Sequence, residues 1–254
     1  MKKILEVKQL TKVVHLDKNN SSQILKHIDL SIEQGEFVTI MGPSGSGKTT
    51  LLYSISGMDK PTSGDVYFLG KKISKMTEDH LSAIRLNYMG FVFQQSQLLK
   101  NLNILDNIIL PGFMAKRESR QVIVNRALAL MSETGIRQLK EHEIDQASGG
   151  QLQRVAICRA LINDPEILFG DEPTGALNSK ATDDVMNILV DLNLNGTTIL
   201  LVTHDAKVAA RSERVLYMAD GAIKGEKVLG KYRQGDDVRA REQLLVNWLT
   251  KMGF

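Results

Sequence analysis

A glycine-rich run near residue 45 has the composition of a phosphate-binding loop. The run GPSGSGKT fits the pattern GxxxxGK[ST], follows a strand-like segment and precedes a helix-like one. Glycines let backbone N–H groups face a polyphosphate, the helix N-terminus adds positive charge, lysine reaches the β- and γ-phosphates, and threonine ligates Mg²⁺. The pattern therefore predicts a nucleoside triphosphate site formed by Gly42, Ser44, Gly45, Ser46, Gly47, Lys48, Thr49 and Thr50.

Two adjacent carboxylates end an apolar run in the second half of the chain. The run Glu166–Glu172 has the sequence EILFGDE, so Asp171 and Glu172 stand at the end of a predicted strand. A carboxylate in this position holds Mg²⁺ in P-loop enzymes, and the next one can accept a proton from an attacking water. A solvated acidic turn would have the same composition, but the phosphate-binding loop in the same chain favours the functional interpretation.

A second helix start suited to phosphate lies downstream. In the run ASGGQ, Ser148 is a suitable N-cap, and two glycines let a phosphate approach the free N–H groups of the first turn. One nucleotide needs only one such helix start. The sequence therefore predicts composite sites, each shared between two copies of the chain, with these further binding residues: Ser148, Gly149, Gly150 and Gln151.

Over roughly residues 3–230 these motifs resemble the nucleotide-binding subunit of an ATP-binding cassette (ABC) transporter. The resemblance also includes the Q-loop glutamine Gln94 in GFVFQ, the D-loop Gly175–Asn178 and the switch histidine His204 in VTHD. The motifs occur in the order typical of that family. P-loop proteins outside the family lack the SGGQ signature, so the signature carries most of the resemblance.

This resemblance implies ATP and Mg²⁺ as ligands and assigns roles to individual residues. The catalytic residues would be Glu172, His204 and Gln94, and the metal ligands would be Thr49, Gln94 and Asp171. Ser148 and Gly150 would face the γ-phosphate of the nucleotide bound by the opposite copy. A second copy of the chain and an integral-membrane permease are the implied partners.

The chain departs from the family pattern at two places. The D-loop usually ends in aspartate and here ends in Asn178, so the resemblance leaves the rate of hydrolysis open. The aromatic residue that usually stacks on adenine aligns with Val14, followed by His15. We therefore expect stacking to be weaker, or to come from His15.

The elements that must position these residues follow from the apolar patterning. Runs rich in β-branched and aromatic residues predict strands at Ile4–Val7, Phe37–Met41, Val66–Leu69, Phe91–Phe93, Ile167–Phe169, Thr198–Val202 and Val215–Met218. Helical spacing of apolar residues predicts helices at Thr49–Ser56, Arg120–Thr134, Gln151–Asn163, Lys180–Leu194 and Val238–Met252. The polar run Asp17–Ser22 predicts a loop. Several strands are uninterrupted apolar runs, which is typical of a parallel sheet covered on both faces.

The expected fold is an α/β P-loop NTPase with a mostly parallel sheet core. The resemblance adds an N-terminal antiparallel β subdomain and an α-helical subdomain inserted at roughly 81–160. Residues 1–230 would form the ABC ATPase domain, and residues 231–254 a C-terminal helical extension. The apolar side of this extension predicts packing on the domain, and the alternative is contact with a partner protein or the membrane surface.

Composition limits where the protein acts. The chain has 254 residues and a formal net charge of +3. Its single cysteine, Cys158, fits a small core position and a reducing cytosol. The N-terminus lacks the apolar region of a secretory signal, and no apolar run reaches the ~18 residues of a membrane span. We therefore expect a cytoplasmic protein held at the inner face of the cell membrane by its permease.

Within the family, NLNILDNIILP and EPTGAL resemble the branch of macrolide exporters and lipoprotein-release ATPases. The opening ILEVKQLTK and the C-terminal tail look most like bacitracin-type peptide-resistance transporters. This resemblance implies a homodimeric ATPase that powers a separate permease and exports or detoxifies an antimicrobial peptide or similar amphiphile in bacteria. The alternative is a slow nucleotide switch that signals through the permease to a sensor kinase or cell-envelope machinery. One P-loop and no long coiled coil disfavour the ABC proteins that act on nucleic acid, so no nucleic-acid partner is expected.

Overall fold

The computed structural model describes residues 2–17 and 20–253 and contains two sheets. The strands are β1 (Lys3–Asp17), β2 (Asn20–Glu33), β3 (Phe37–Met41), β4 (Ser63–Phe68), β5 (Lys71–Lys72), β6 (Met89–Phe93), β7 (Ile167–Asp171), β8 (Thr198–Val202), β9 (Arg214–Ala219) and β10 (Ala222–Val228). The larger sheet has the order β10-β9-β3-β8-β7-β6, parallel from β9 to β6 and antiparallel only at β10. The smaller sheet, β2-β1-β4-β5, is antiparallel. Both agree with the expected fold class.

Helices cover the sheets and separate the parallel strands. They are α1 (Lys48–Ile55), α2 (Glu78–Tyr88), α3 (Ile104–Ala115), α4 (Arg120–Glu133), α5 (Gly149–Leu161), α6 (Ser179–Leu194), α7 (Ala206–Ala209) and α8 (Val238–Lys251). On β7, Phe169 packs into the cluster that includes α1, whereas the preceding Leu168 packs into the cluster that includes α6. Both faces of this strand are therefore buried, which explains its uninterrupted apolar run.

The polar run Asp17–Ser22 does not form only a loop, because β2 begins at Asn20. Sequence patterning missed β2 because its apolar alternation is interrupted. Ile28, Leu30 and Ile32 alternate, but His27 has φ of 51° and the pairing with β1 shifts register nearby. Such a bulge changes which side chains face the core. The edge strand β10 was missed because none of its residues is buried and it has no apolar run.

A separate helical layer surrounds one apolar cluster formed by α3, α4 and α5. Within the range 81–160 that was expected for the inserted subdomain, Met89–Phe93 is instead a strand of the larger sheet. The boundary 81–160 therefore includes part of the sheet core, because β6 completes the parallel sheet beside β7. Leu98 packs against the helical cluster, whereas the next residue, Leu99, is 45% exposed.

The C-terminal helix α8 packs on the larger sheet. Leu245 and Leu249 are buried against Val215 and Tyr217 of β9, and the Trp248 ring meets the Tyr217 ring edge-on. Near the start of α8, the Arg241 guanidinium donates hydrogen bonds to four backbone carbonyls. Two of them, Ala210 and Ser212, precede β9, and the other two, Leu229 and Gly230, follow β10. These contacts place the described part of the extension, residues 231–253, on the ATPase domain.

Candidate functional site

The candidate functional residues lie together where the parallel strands end. Phe93 pairs with Asp171 in register, and Asp171 pairs with Val202. The P-loop follows β3, the two carboxylates lie at the end of β7, and His204 follows β8. In open α/β sheets this carboxyl edge is where ligands bind.

The P-loop leads into the N-terminus of α1, which has no side-chain cap. Gly47 has φ of 99° and serves as the N-cap of α1, with no side-chain hydrogen bond to the first turn. A left-handed φ at this point requires a residue without Cβ strain. At Gly42, a Cβ would come 2.0 Å from the Met218 carbonyl oxygen, so this position also requires glycine. The first-turn N–H groups of α1 therefore remain available to an anion.

The Lys48 side chain is bonded to the backbone of this loop. Its Nζ donates to the carbonyl oxygens of Gly42 at 2.8 Å and Pro43 at 2.9 Å. Burial lowers the pKa of Lys48, and the carboxylates of Glu172 and Asp171 act in the opposite direction. The ammonium thus has acidic neighbours and backbone acceptors at the place where a triphosphate would bring further negative charge.

Thr49 and Asp171 supply adjacent oxygen atoms. Thr49 Oγ1 donates to Asp171 Oδ1 at 3.0 Å. Hydroxyl and carboxylate oxygens are the ligands that Mg²⁺ prefers, and it keeps its remaining positions for water and phosphate. The pair therefore fits a magnesium ion brought in with a nucleotide.

Tyr53 is a neighbour of this pair that sequence analysis missed. Burial raises the pKa of its hydroxyl, and the nearby Asp171, which accepts its hydrogen bond, raises it further. Its spacing from Thr49, four residues along α1, was a usable signal, because side chains four apart share a helix face.

Glu172 and His204 form the second pair of the site. His204 Nδ1 lies 2.8 Å from Glu172 Oε1, and Thr203 Oγ1 donates to Glu172 Oε2 at 3.3 Å. Glu172 has φ of 49°, which is uncommon for a residue with a side chain, and its N–H bonds the Val202 carbonyl at 2.9 Å. Strained backbone of this kind clusters at functional sites. The carboxylate therefore has a defined direction toward the P-loop cavity.

A cavity of about 420 Å³ lies beside the P-loop; it is lined by Ile24, Ser44, Gly45, Gly47, Lys48, Thr49, Thr50, Glu172 and His204. Gly42, the buried Ser46 and Asp171 lie outside this lining, and Asp171 adjoins it through its contact with Thr49. Ile24 was missed because β2 was missed. Val14 is exposed on β1 and is not part of the lining, and the side chain of His15 lies outside the described residues.

Gln94 lies at the border of the site. Its side chain is exposed, and its Nε2 lies 2.9 Å from the place that a Cβ on Gly175 would occupy. The amide is therefore against the D-loop in this structure, and no hydrogen bond joins it to Asp171 among the described residues.

The signature residues line a different cavity, of about 390 Å³. Ser148 caps α5 by accepting from the Gln151 N–H, and Gln151 Oε1 accepts in return from the Ser148 N–H at 2.8 Å. Gly149, Gly150 and the D-loop residue Asn178 share this cavity. One chain thus presents two separate phosphate-suited cavities, and the signature residues do not meet the P-loop of their own chain.

Comparison with known proteins gives consistent results. A family model described as ABC transporter matches residues 25–175. The macrolide export ATP-binding/permease protein MacB of Chlorobaculum tepidum is 40% identical over 241 residues, which cover 95% of this chain and 36% of MacB. The lipoprotein-releasing system ATP-binding protein LolD 1 of Chlorobium chlorochromatii is 41% identical over 221 residues, covering 87% of this chain and 90% of LolD 1. The chain therefore spans about a third of the MacB relative and most of the LolD relative.

Solved structures agree with these relatives. The ATP-binding cassette MJ0796, a protein of Methanocaldococcus jannaschii, has been solved as a dimer in a post-hydrolysis state bound to ADP and Pi. It superimposes with a TM-score of 0.83 at 41% identity, and the match covers 90% of this chain and 100% of the cassette. The MacB and LolD matches support the macrolide- and lipoprotein-export branch, whereas the bacitracin-type assignment stays a prediction. The family match, the relatives and the cassette fold together establish that this chain belongs to the ABC transporter family.

Proposed function

We propose that this chain is an ATPase subunit that hydrolyses Mg-ATP at two sites shared between two copies and thereby drives a membrane permease. The observation that carries this proposal is the separation of the P-loop cavity from the signature cavity within one chain. A site that needs both requires a second copy, in head-to-tail orientation. The dimeric structure of the cassette MJ0796 supports the need for a second copy. The names of MacB and LolD, which link ATP binding to export and to lipoprotein release, support a role in transport.

In this proposal, the P-loop binds and orients the triphosphate. The uncapped first turn of α1 and Lys48 neutralise phosphate charge, because N–H donors and an ammonium face the same cavity. Thr49 and Asp171 would hold Mg²⁺, with Gln94 as the third predicted ligand after it moves from the D-loop. The ion, when bound, neutralises charge that develops on the phosphates.

Glu172 accepts the proton of the attacking water. Its carboxylate lines the cavity, and its hydrogen bonds to Thr203 and His204 restrict its orientation. A general base accelerates the reaction most when it is held in a fixed position relative to the attacking water. His204, at the same cavity, positions Glu172 and faces the γ-phosphate.

A groove between the larger sheet and the helical layer is suited to the permease. It has a volume of about 260 Å³ and contains Met58, Leu86, Met89, Phe91 and Pro111 among its lining residues. A short amphipathic helix lying in an apolar groove is a recurrent recognition mode. We place the protein at the inner face of the membrane through this contact with the permease. Among the described residues, none of the helices has the length and apolarity of a membrane span.

A mixing experiment tests the shared sites. Lys48→Ala removes the P-loop charge but leaves the signature intact, and Ser148→Arg blocks the signature but leaves the P-loop intact. Each variant alone should lose phosphate release. An equimolar mixture should recover about a quarter of the wild-type rate, because half of the dimers then carry one complete site of two. Mixed dimers that form but recover no activity would contradict the proposal.

The nature of the transported molecule remains a prediction from resemblance. Export or detoxification of an antimicrobial peptide or similar amphiphile is the expected activity of the whole transporter. The alternative, a slow nucleotide switch, is kept open by the amide of Asn178, which stands where the family usually has aspartate and lines the signature cavity. Turnover of the wild-type chain with its permease separates the two, since a switch would release phosphate far more slowly than the roughly 1–10³ per second of ordinary enzymes.

A further inference from the structure

The helix α5, which begins at the signature, also holds the segment around the Q-loop. Gln153 Nε2 donates to the Phe93 carbonyl oxygen at 2.9 Å, and Gln153 is only 2% exposed. Two turns further on, Arg159 donates to the carbonyl oxygens of Ser96 and Gln97, each at 2.7 Å. Two side chains of one helix therefore bond the backbone on both sides of Gln94.

The bond from Gln153 acts on the peptide unit that starts the Q-loop. The Phe93 carbonyl belongs to the peptide group that joins Phe93 to Gln94, and Phe93 is the last residue of β6. A hydrogen bond to that oxygen fixes the plane of the peptide, and so fixes the direction in which Gln94 leaves the sheet.

The same helix places Gln153 close to the signature. Ser148 and Gln153 are five residues apart, which corresponds to about 7.5 Å along a rigid α-helix. A change in the position of Gln94 therefore reaches the signature through one hydrogen bond and less than two helical turns.

We propose that Gln153 is a positioning residue of the ATPase site, which holds the Q-loop peptide in register with the signature helix. This inference rests on the proposed function, since it assigns Gln153 a role in the same reaction. The competing explanation is that Gln153 is a buried polar side chain with a satisfied hydrogen bond and only stabilises the fold. The two explanations differ in whether its effect requires Gln94.

A double-mutant cycle on the full chain distinguishes them. Gln153→Leu keeps the size of the side chain and removes the donor, and Gln94→Ala removes the Q-loop amide. Loss of one buried donor to a backbone carbonyl should lower maximal phosphate release about tenfold, with ATP affinity changed less than about threefold. In the Gln94→Ala background, Gln153→Leu should reduce the rate less than about twofold, because residues that act through one another are not additive.

The matched control is Thr134→Val, which removes a buried hydroxyl in the same helical layer. That hydroxyl donates to the Leu130 carbonyl at 2.8 Å and also contacts the Met131 carbonyl and Cys158 Sγ, and none of these partners belongs to the Q-loop. It should lower the thermal midpoint and leave maximal turnover within about twofold. If Gln153→Leu does not fold, Gln153→Met replaces it, with the flexible thioether chain filling the same space. Additive losses in the cycle, or an unchanged rate in the single variant, would overturn the assignment. A wild-type chain that releases no phosphate would instead refute the proposed function.

Discussion

The exchange of Glu172 for glutamine separates two roles that the structure allows for this carboxylate. Glu172→Gln keeps the size of the side chain and removes its charge and basicity. If Glu172 is the general base, hydrolysis should fall by roughly 10²–10⁴-fold, the range of that effect. If it only holds His204 in place, the loss should be much smaller.

The size of that smaller loss follows from the geometry. The contact between His204 Nδ1 and Glu172 Oε1 is 2.8 Å, but the His204 side chain is 67% exposed. An interaction screened by water to this extent contributes no more than about 1 kcal/mol, which corresponds to about fivefold in rate. A measured loss well above tenfold therefore cannot come from the position of His204 alone.

The assay is steady-state phosphate release with Mg-ATP, together with light scattering of the protein in ATP. We expect slow hydrolysis, retained ATP binding and a stable dimer, because the uncleaved nucleotide remains bound between P-loop and signature. Glu166→Gln is the control, since it makes the same chemical change just before β7 begins, at the opposite end from Asp171, and should leave turnover unchanged. A loss below tenfold in Glu172→Gln, with ATP bound, would refute the assignment of Glu172 as the base.

Three other substitutions and one labelling experiment test separate parts of the structure. Asn178→Asp should raise the thermal midpoint by about 1–3 °C, because a carboxylate at a helix N-cap interacts favourably with the helix dipole. Turnover should stay within about twofold, and a tenfold rise in turnover would show that the amide slows hydrolysis. Leu98→Glu should lower the thermal midpoint by more than about 5 °C, because it places a charge against the helical cluster. Met58→Glu, in the groove, should retain stability and ATPase activity but lose co-purification with the permease. The reverse pattern would contradict the groove assignment. Burial raises the pKa of Cys158 to about 12, so iodoacetamide should label this thiol at pH 8 only after unfolding. Stability should decrease as pH rises from the ordinary thiol pKa of 9.0 toward 12, because the unfolded thiol ionises first. Rapid labelling of the folded protein would contradict this placement.

Local chemistry explains why so much of the site was predictable from the sequence. The P-loop and the carboxylates at the end of β7 depend on residues adjacent in the chain, so spacing alone was enough to predict that Lys48, Thr49, Asp171 and Glu172 belong to one candidate site. The contact of Thr49 with Asp171 follows from the topology, because β3 and β7 both pair with β8 in a parallel sheet. The parallel sheet core was predicted from uninterrupted apolar runs, and the antiparallel sheet and the helical subdomain were predicted from the family resemblance.

Other contacts depend on tertiary placement and left no periodic signal. Ile24 reaches the P-loop cavity from β2, whose alternation is interrupted by a bulge near His27. The bond from Gln153 to Phe93 joins residues 60 apart in the sequence. Adjacent leucines in a loop give no indication in the sequence of which one turns inward. In the structure Leu98 packs on the helical cluster, and the Asn107 amide bonds the backbone of Leu99 and holds the turn.

The hydrogen-bonding capacity of Ser148 and Asn178 explains how each can cap a helix and still serve a shared nucleotide site. Ser148 Oγ accepts the Gln151 N–H, so its own proton remains available as a donor. Asn178 Oδ1 accepts the Ala181 N–H at 2.9 Å, so its NH₂ group also remains a donor, whereas an aspartate in the same place would offer only acceptors and a negative charge. Since both residues line the signature cavity, these donors belong to the cavity in which we propose that the partner's triphosphate binds. The amide at position 178 is therefore compatible with an anionic ligand, and its presence alone does not indicate an inactive site.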